Sequence, residues 1–257
     1  MAGHDKWSKV KHRKAVVDKR RSKAWTMCSR AIISAARQHG PDPAFNFLLR
    51  TALEEARYHN VPNDNIERAI KKGAGGGDTE NYEPVRYEGY GPGGVAVIVD
   101  ALTNNRARTA GDVRLAFARS ECKMGVSGAV GHQFEHKGVI TVPADAKDED
   151  RLIEAALNAG ADDVRAGDAA ADDPPAPPTW QVITDPTKFL TVREALKKDG
   201  FKVAESELDM LPLNTVTVAG QTAKDLLKLV EELEDNEDVK KVYTNADIPE
   251  SELASME

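Results

Sequence analysis

The chain predicts an α+β protein: an N-terminal three-helix domain followed by two ferredoxin-like α/β domains, one inserted in the other. Three observations carry this. Three stretches of helical apolar spacing precede a glycine run at residues 74–78. The strand and helix patterns after that run can be parsed as two β-α-β-β-α-β units. A further strand pattern at Thr215 is left over once the six elements before it are complete, which nesting explains by letting the first unit resume there; two sequential α+β domains are the alternative topology. The expected boundaries are 1–77 for a basic arm and helical domain, 78–137 with 213–247 for the outer α/β domain, 138–212 for the inserted one, and 248–257 for a tail.

Trp25, Cys28, Ile32 and Ala35 or Ala36 recur at three and four residues, which predicts a first helix from about Lys14 to His39, ended by Gly40. Asp42 before Pro43 reads as the start of a second helix reaching His59, with Leu48, Leu49, Ala52 and Ala56 on one face. Asp64 and Glu67 have capping-box spacing ahead of Ile66, Ala69 and Ile70, which predicts a third helix to Gly73. Ala74 to Asp78 reads as a flexible linker that lets the helices move relative to the α/β part of the chain. Beyond it, Val95 to Leu102 reads as a buried strand and Arg106 to Arg119 as a helix; Gly131 to Val142 reads as two strands broken at Gly138. Helix Glu149–Ala159, strands Asp163–Arg165 and Trp180–Thr184, helix Lys188–Lys198 and strand Lys202–Leu208 complete the inner unit. The outer unit resumes with strand Thr215–Val218, helix Ala223–Leu233 and strand Val239–Tyr243.

Charge is distributed unevenly. Residues 1–37 hold eleven Lys and Arg against Asp5 and Asp18, about +9, whereas the 257-residue chain is −7, so everything after them totals about −16. A basic segment on an acidic body points to a polyanionic partner, because Lys and Arg can displace the counterions condensed on a phosphate backbone. The candidate contacts are Lys6, Lys9, Lys11, Arg13, Lys14, Lys19, Arg20, Arg21 and Lys23, with Trp7 and His12 interleaved to stack on bases. The competing reading is a basic face that answers the protein's own acidic surface. Asn104, Asn105, Arg106 and Arg108 open a helix and offer a second contact, unless Asn105 is simply its cap.

Other chemistry finds little support. The run Gly89 to Gly94 leads into a strand and fits no phosphate-binding fingerprint, so it reads as a tight turn needing positive φ. His132, Glu135 and His136 have the spacing of a zinc-hydrolase motif, which requires a helix. On a strand, residues four apart stand roughly 13 Å from each other at about 3.3 Å per residue, too far for one metal. A zinc hydrolase is therefore the remote alternative, and the chain reads as a non-enzyme with no metal, no cofactor and no small-molecule substrate. Asp172 to Pro178 reads as an extended acidic, proline-rich connector. Cys28 and Cys122 are too few for a disulfide framework, no apolar run spans a membrane, and no secretory signal opens the chain, so a cytoplasmic protein is expected.

Four blocks resemble the YebC/PmpR family: MAGHDKWSKVKHRK at the N-terminus, VPNDNIERAIKKG at Val61 to Gly73, YEGYGPGGVAVIVDALTNNRART at Tyr87 to Thr109, and FEHKGVI at Phe134 to Ile140. VITDP at Val182 to Pro186 extends the resemblance. It implies a three-domain protein of a group described as bacterial DNA-binding transcriptional regulators. Its mitochondrial relatives resemble the translational activator of cytochrome c oxidase. The implied partner is DNA, or else ribosomal RNA on the ribosome; the matching basic motif is Lys6, Lys9, Lys11, Arg13 and Lys14 with Trp7 and His12. Two departures stand out. Asp5 places a negative charge inside the motif, and Ala44 to Arg57 puts Phe47 and Leu48 where the family has a more basic, proline-containing stretch, which lessens the expectation that the second helix contacts phosphate.

Overall fold

The computed structural model describes residues 14–75, 81–144, 149–167, 178–249 and 252, with side chains from Ser22 onward. The arm up to Arg13, most of the glycine linker and most of the connector at Asp172 to Pro178 lie outside the described residues. The chain divides into two compact units, one of residues 12–131 with 219–243 and one of residues 132–218 with 244–257.

The first unit opens with α1 (Lys14–His39), α2 (Phe47–Tyr58) and α3 (Asn63–Ala74). Met27, Cys28, Ile32, Ile33, Ala35 and Ala36 of α1 bury against Leu49, Ala52, Leu53 and Ala56 of α2 and Ile66 and Ala69 of α3. The apolar stripe read from the sequence is thus the packed face. Gly40 ends α1 at φ +86°, its N–H reaching the Ala36 carbonyl at 3.0 Å, as a glycine just past a helix end does. A Cβ on Gly73 would sit 2.6 Å from the Ile33 carbonyl oxygen and 2.7 Å from the Ala36 Cβ, so this glycine sets how closely α3 crosses α1.

Two helix starts differ from expectation. The cap of α2 is Asn46, not Asp42: Asn46 Oδ1 accepts from the Leu49 N–H at 3.0 Å, while Asp42 closes the turn before it by accepting from Ala44 at 2.8 Å. Asn46 wins because it is buried and its amide N–H groups also donate to the Ala35 and Gly40 carbonyls, which an acceptor-only carboxylate such as Asp42 cannot do. Likewise α3 is preceded by Pro62 with no side-chain cap, the Asn65 and Ile66 amides donating to the Pro62 carbonyl instead of a capping box forming.

The same unit contains a four-stranded sheet and two helices: β1 (Glu83–Tyr90), β2 (Ala96–Thr103), α4 (Arg106–Arg119) and β3 (Lys123–Met124), then, after the second unit, α7 (Gly220–Asp235) and β9 (Val239–Thr244). Sheet order is β3-β1-β2-β9, with β1 antiparallel to both β2 and β3. This is the ferredoxin-like spatial order, but β1 is contributed from the N-terminal side of β2 and not from between α4 and α7, where the second unit is inserted. Between β1 and β2 the glycine run is a tight turn, with Gly93 at φ +74° and Gly94 at φ +75°. The helices are not free of this sheet: Tyr82 and Leu102 join the helical core, and the Ser34 hydroxyl donates to the Tyr82 carbonyl at 2.8 Å. A flexible linker composition describes the linker alone; docking of the helices is decided by the surfaces on either side.

The second unit contains β4 (Phe134–Pro143), α5 (Glu149–Ala159), β5 (Asp163–Ala166), β6 (Thr179–Thr184), α6 (Phe189–Lys198) and β7 (Glu205–Pro212). Its sheet order β5-β6-β4-β7 is again ferredoxin-like, with β4 antiparallel to β6 and β7. Ile140, Val142 and Val182 pack against Leu152, Ala156, Phe189, Val192 and Leu196 of the helices. β4 runs unbroken through Gly138, which corrects the expected pair of strands. A Cβ there would lie 2.4 Å from Thr184 Oγ1 and 2.5 Å from the Phe189 ring, so Gly138 serves close packing and not a turn. β8 (Val216–Thr217) pairs in parallel with β10 (Ala246–Asp247) as a separate ribbon, not with the outer sheet as its position in the sequence suggests.

Candidate nucleic-acid interface

Of the candidate basic-motif positions, Lys6, Trp7, Lys9, Lys11, His12 and Arg13 lie outside the described residues. Lys14, Lys19, Arg20 and Arg21 fall on the first turns of α1, whose backbone runs unbroken from Lys14 into the packed part of the helix. Lys23 is the first whose side chain is described, and its ammonium donates to the backbone carbonyl of Glu234 near the C-terminal end of α7. A cation there satisfies a helix-end carbonyl and complements the negative end of the helix dipole.

Further along α1 Arg30 turns inward. Arg30 Nη1 donates to Asp238 Oδ1 at 2.9 Å and to the Glu237 carbonyl at 2.8 Å, and its guanidinium lies 5.1 Å from the Tyr82 ring centroid. Asp238, 3% exposed, also receives Arg108 Nη2 at 2.7 Å, Thr109 Oγ1 at 2.7 Å and Thr103 Oγ1 at 3.2 Å. Burial alone pushes this carboxyl's pKa up. The hydrogen bonds from Arg108 and Thr109, with the charges of Arg108 and Arg30, outweigh it and hold the pKa below the ordinary carboxylate value. Around one acid the junction therefore ties α1, β2, the start of α4 and the loop before β9. Lys240 and Glu55, 3.0 Å apart, add a second and more exposed link to α2.

The second contact expected at the start of α4 is used internally. Asn105 caps the helix, accepting from the Arg108 N–H at 3.1 Å; Arg108 serves Asp238 and the Asn104 side chain; Arg106 lies 3.7 Å from Glu83. Nothing in the sequence marks Asp238, because an acid in an acidic stretch reads as solvated. Nor is Glu88 marked, although it is buried in β1 and its carboxylate accepts from the N–H groups of Val130 at 2.8 Å, Gly128 at 3.0 Å and Gly131 at 2.7 Å. Burial pushes the Glu88 pKa up, but these three donors and the nearby Arg86 charge bring it below its ordinary value.

The zinc-motif histidines are not on a helix: His132 sits in the short 3-10 turn Gly131–Gln133, and His136 is in β4 opposite Met210. Among the described residues one other trio, Cys28, Glu55 and His59, has potential ligand atoms within 4.8 Å of one another. As arranged, burial followed by the charge of Glu55 pushes the Cys28 thiol up to about 12, and Glu55 is paired with Lys240. That is a protonated thiol beside an ion pair.

The described part of the helical unit does present one unusual outward edge. Phe45 is 89% exposed, Phe47 57% and Leu48 48%, and the Arg50 guanidinium lies 5.6 Å from the Phe47 ring centroid. The sequence does not disclose this surface, because apolar side chains beside a helix start read as core.

Comparison with known proteins accounts for the whole chain. Residues 5–76 match the family model described as the TACO1/YebC protein N-terminal domain, and residues 82–246 match the TACO1/YebC second and third domain. The chain belongs to the TACO1/YebC family. A "Probable transcriptional regulatory protein" of Rubrobacter xylanophilus is 45% identical over 100% of this chain and 99% of its own length. One of the same description from Geotalea uraniireducens is 45% identical over the full length of both. The crystal structure of a conserved hypothetical protein from Aquifex aeolicus superposes with a TM-score of 0.79 at 43% identity, over 95% of this chain and 97% of that one. The TACO1/YebC fold so matched has the helical domain first and two sheet domains after it. No helix among the described residues is long and apolar enough to cross a membrane.

Proposed function

We propose that this TACO1/YebC protein is a non-enzymatic nucleic-acid-binding regulator, acting as a DNA-binding transcriptional regulator through its N-terminal arm. The observation that carries this is the charge partition: about +9 in the first 37 residues against about −16 in the rest. Of the eleven bases in that segment, Lys23 and Arg30 are bonded to Glu234 and Asp238 inside the fold and Arg37 lies beyond the basic motif. The proposed polyanion-binding set is Lys6, Lys9, Lys11, Arg13, Lys14, Lys19, Arg20 and Arg21, with Trp7 and His12. The names of the relatives support transcription, and the resemblance to the mitochondrial translational activator keeps the ribosome as the other destination for the same arm. Backbone contacts do not discriminate between DNA and RNA.

Two measurements test this. Replacing Lys9, Lys11, Arg13 and Lys14 by Ala is expected to weaken duplex DNA binding and to flatten its log-log salt dependence by up to about 0.9 per lost phosphate contact. An unchanged slope would remove the arm from the interface. In cell lysate, promoter enrichment lost on deleting residues 1–23 supports the transcriptional reading; co-sedimentation with ribosomes lost on the same deletion moves the activity to translation.

A further inference from the structure

We infer that Phe45, Phe47 and Arg50 form a stacking platform for the unpaired bases of single-stranded nucleic acid. The inference rests on the nucleic-acid reading of the arm and adds to it a second surface, outside the arm, with its own substrate class.

The edge is built and not merely left over. Asn46, 1% exposed and in extended backbone at φ −118°, points inward, where its amide holds the Ala35 and Gly40 carbonyls and its oxygen caps α2. Phe45 precedes it in the turn closed by its own N–H to the Asp42 carbonyl at 3.2 Å, and its side chain stands in solvent. Phe47 follows at the first position of α2 and is also exposed. Arg50, one turn on, fixes the loop from the other side by donating to the Pro43 carbonyl at 3.1 Å. Its remaining N–H groups provide donors beside the rings. Two phenylalanines held in water by a rigid turn forgo the stabilisation of burial, which marks a contact surface.

The chemistry of the partner follows from what surrounds the rings. Residues 14–75 carry twelve Lys and Arg against six Asp and Glu, in a protein that is otherwise strongly acidic. With Arg30 committed to Asp238 the unit still keeps a net positive charge, to which a polyanion is drawn. Aromatic rings beside an arginine, on a net positive unit, match a strand that offers flat bases and phosphates together. Paired bases present no free face, so duplex is not the substrate of this edge.

The test uses the full chain and a fluorescein-labelled single-stranded 20-mer, with a duplex of the same length as control. Phe45→Ala with Phe47→Ala is expected to weaken single-strand binding by about tenfold per ring. It should leave the salt slope and duplex affinity unchanged, since phenylalanine displaces no counterions. Phe45→Trp with Phe47→Trp should restore binding, and the thermal melt of each variant should match the parent. The single variant Phe45→Ala, at the more exposed site, stands in if the double variant melts early. If the arm variants lose binding while the ring variants bind the single strand like the parent, the platform is refuted and the arm survives. If neither set affects binding, or the parent binds neither polymer, the nucleic-acid reading itself falls and takes the platform with it. If the ring variants keep single-strand affinity but lose a co-purifying protein, the edge is a protein interface and the inference is overturned.

Discussion

The three-helix unit has two faces built on opposite principles. Toward the outer sheet it is sealed by charge: Arg30, Lys23 and Lys240 reach Asp238, Glu234 and Glu55, and a single buried carboxylate gathers two guanidinium groups and two threonine hydroxyls. At the opening of α2 it is apolar and wet, with Phe45 and Phe47 exposed on either side of a buried asparagine. The inside contact thus combines the apolar seam at Tyr82 and Leu102 with buried charge, while the outward edge is the one that displays aromatic rings. The difference teaches that residue type alone misassigns this unit's surfaces. What separates them is whether each group has its partner inside the chain. Arg30 does, and Phe45 does not.

The comparison can be broken most severely at Asp238. Asp238→Ala leaves the half-buried Arg30 without its carboxylate, and removing one member of a buried pair typically costs about 3–5 kcal/mol, read by urea denaturation. A loss near zero would mean that the junction does not hold the faces together. The acid dependence sharpens the same point. The folded pKa of Asp238 lies below its unfolded value, so its contribution is complete above about pH 4, the ordinary Asp range, and fades as pH falls through the folded value. Asp238→Asn should therefore show a flatter loss of stability below about pH 4 than the parent. Next in size is Gly73→Ala. Helix propensity favours the change by about 1 kcal/mol, but a Cβ 2.6 Å from a backbone oxygen makes overpacking win, for a net loss of about 1–3 kcal/mol by thermal or urea unfolding. The smallest effect belongs to Lys240→Met, since that pair is partly exposed on both sides: about 0.2–1 kcal/mol, diminishing with added salt.

Periodicity makes most of the helices legible. Lys14–His39, Arg106–Arg119 and Glu149–Ala159 have the ends their patterns indicate, because each combines an apolar stripe with a clear stop or start. Where local signals compete, tertiary contact decides: Asp42 is as good a cap as Asn46 in isolation, yet only Asn46 has buried carbonyls to hold. β1 is obscure in the sequence because its alternation is hidden by Arg86 and Glu88. The first pairs across the sheet with Asp100, and the second is satisfied by three amides some forty residues on. Gly138 reads as a break in sequence and as a packing contact in space, a difference visible only once Phe189 is in place. For the candidate site, the charge of the arm is legible and the commitment of individual bases is not. Lys23 and Arg30 look like Lys19 and Arg21 until Glu234 and Asp238, 211 and 208 residues away, are brought beside them.

That separation has a consequence for how the protein is made. Arg30 leaves the ribosome early, but the acid that neutralises it lies 208 residues later, and β9, which completes the outer sheet, follows that acid directly. During synthesis the inserted unit has all the strands of its four-stranded sheet before the unit around it is finished. Contacts of such long range slow folding and leave the waiting segments exposed to wrong partners. The N-terminal unit thus waits through the synthesis of 208 residues with an unneutralised Arg30 and an open sheet edge, and its docked form becomes available only after Asp238 and β9 have emerged.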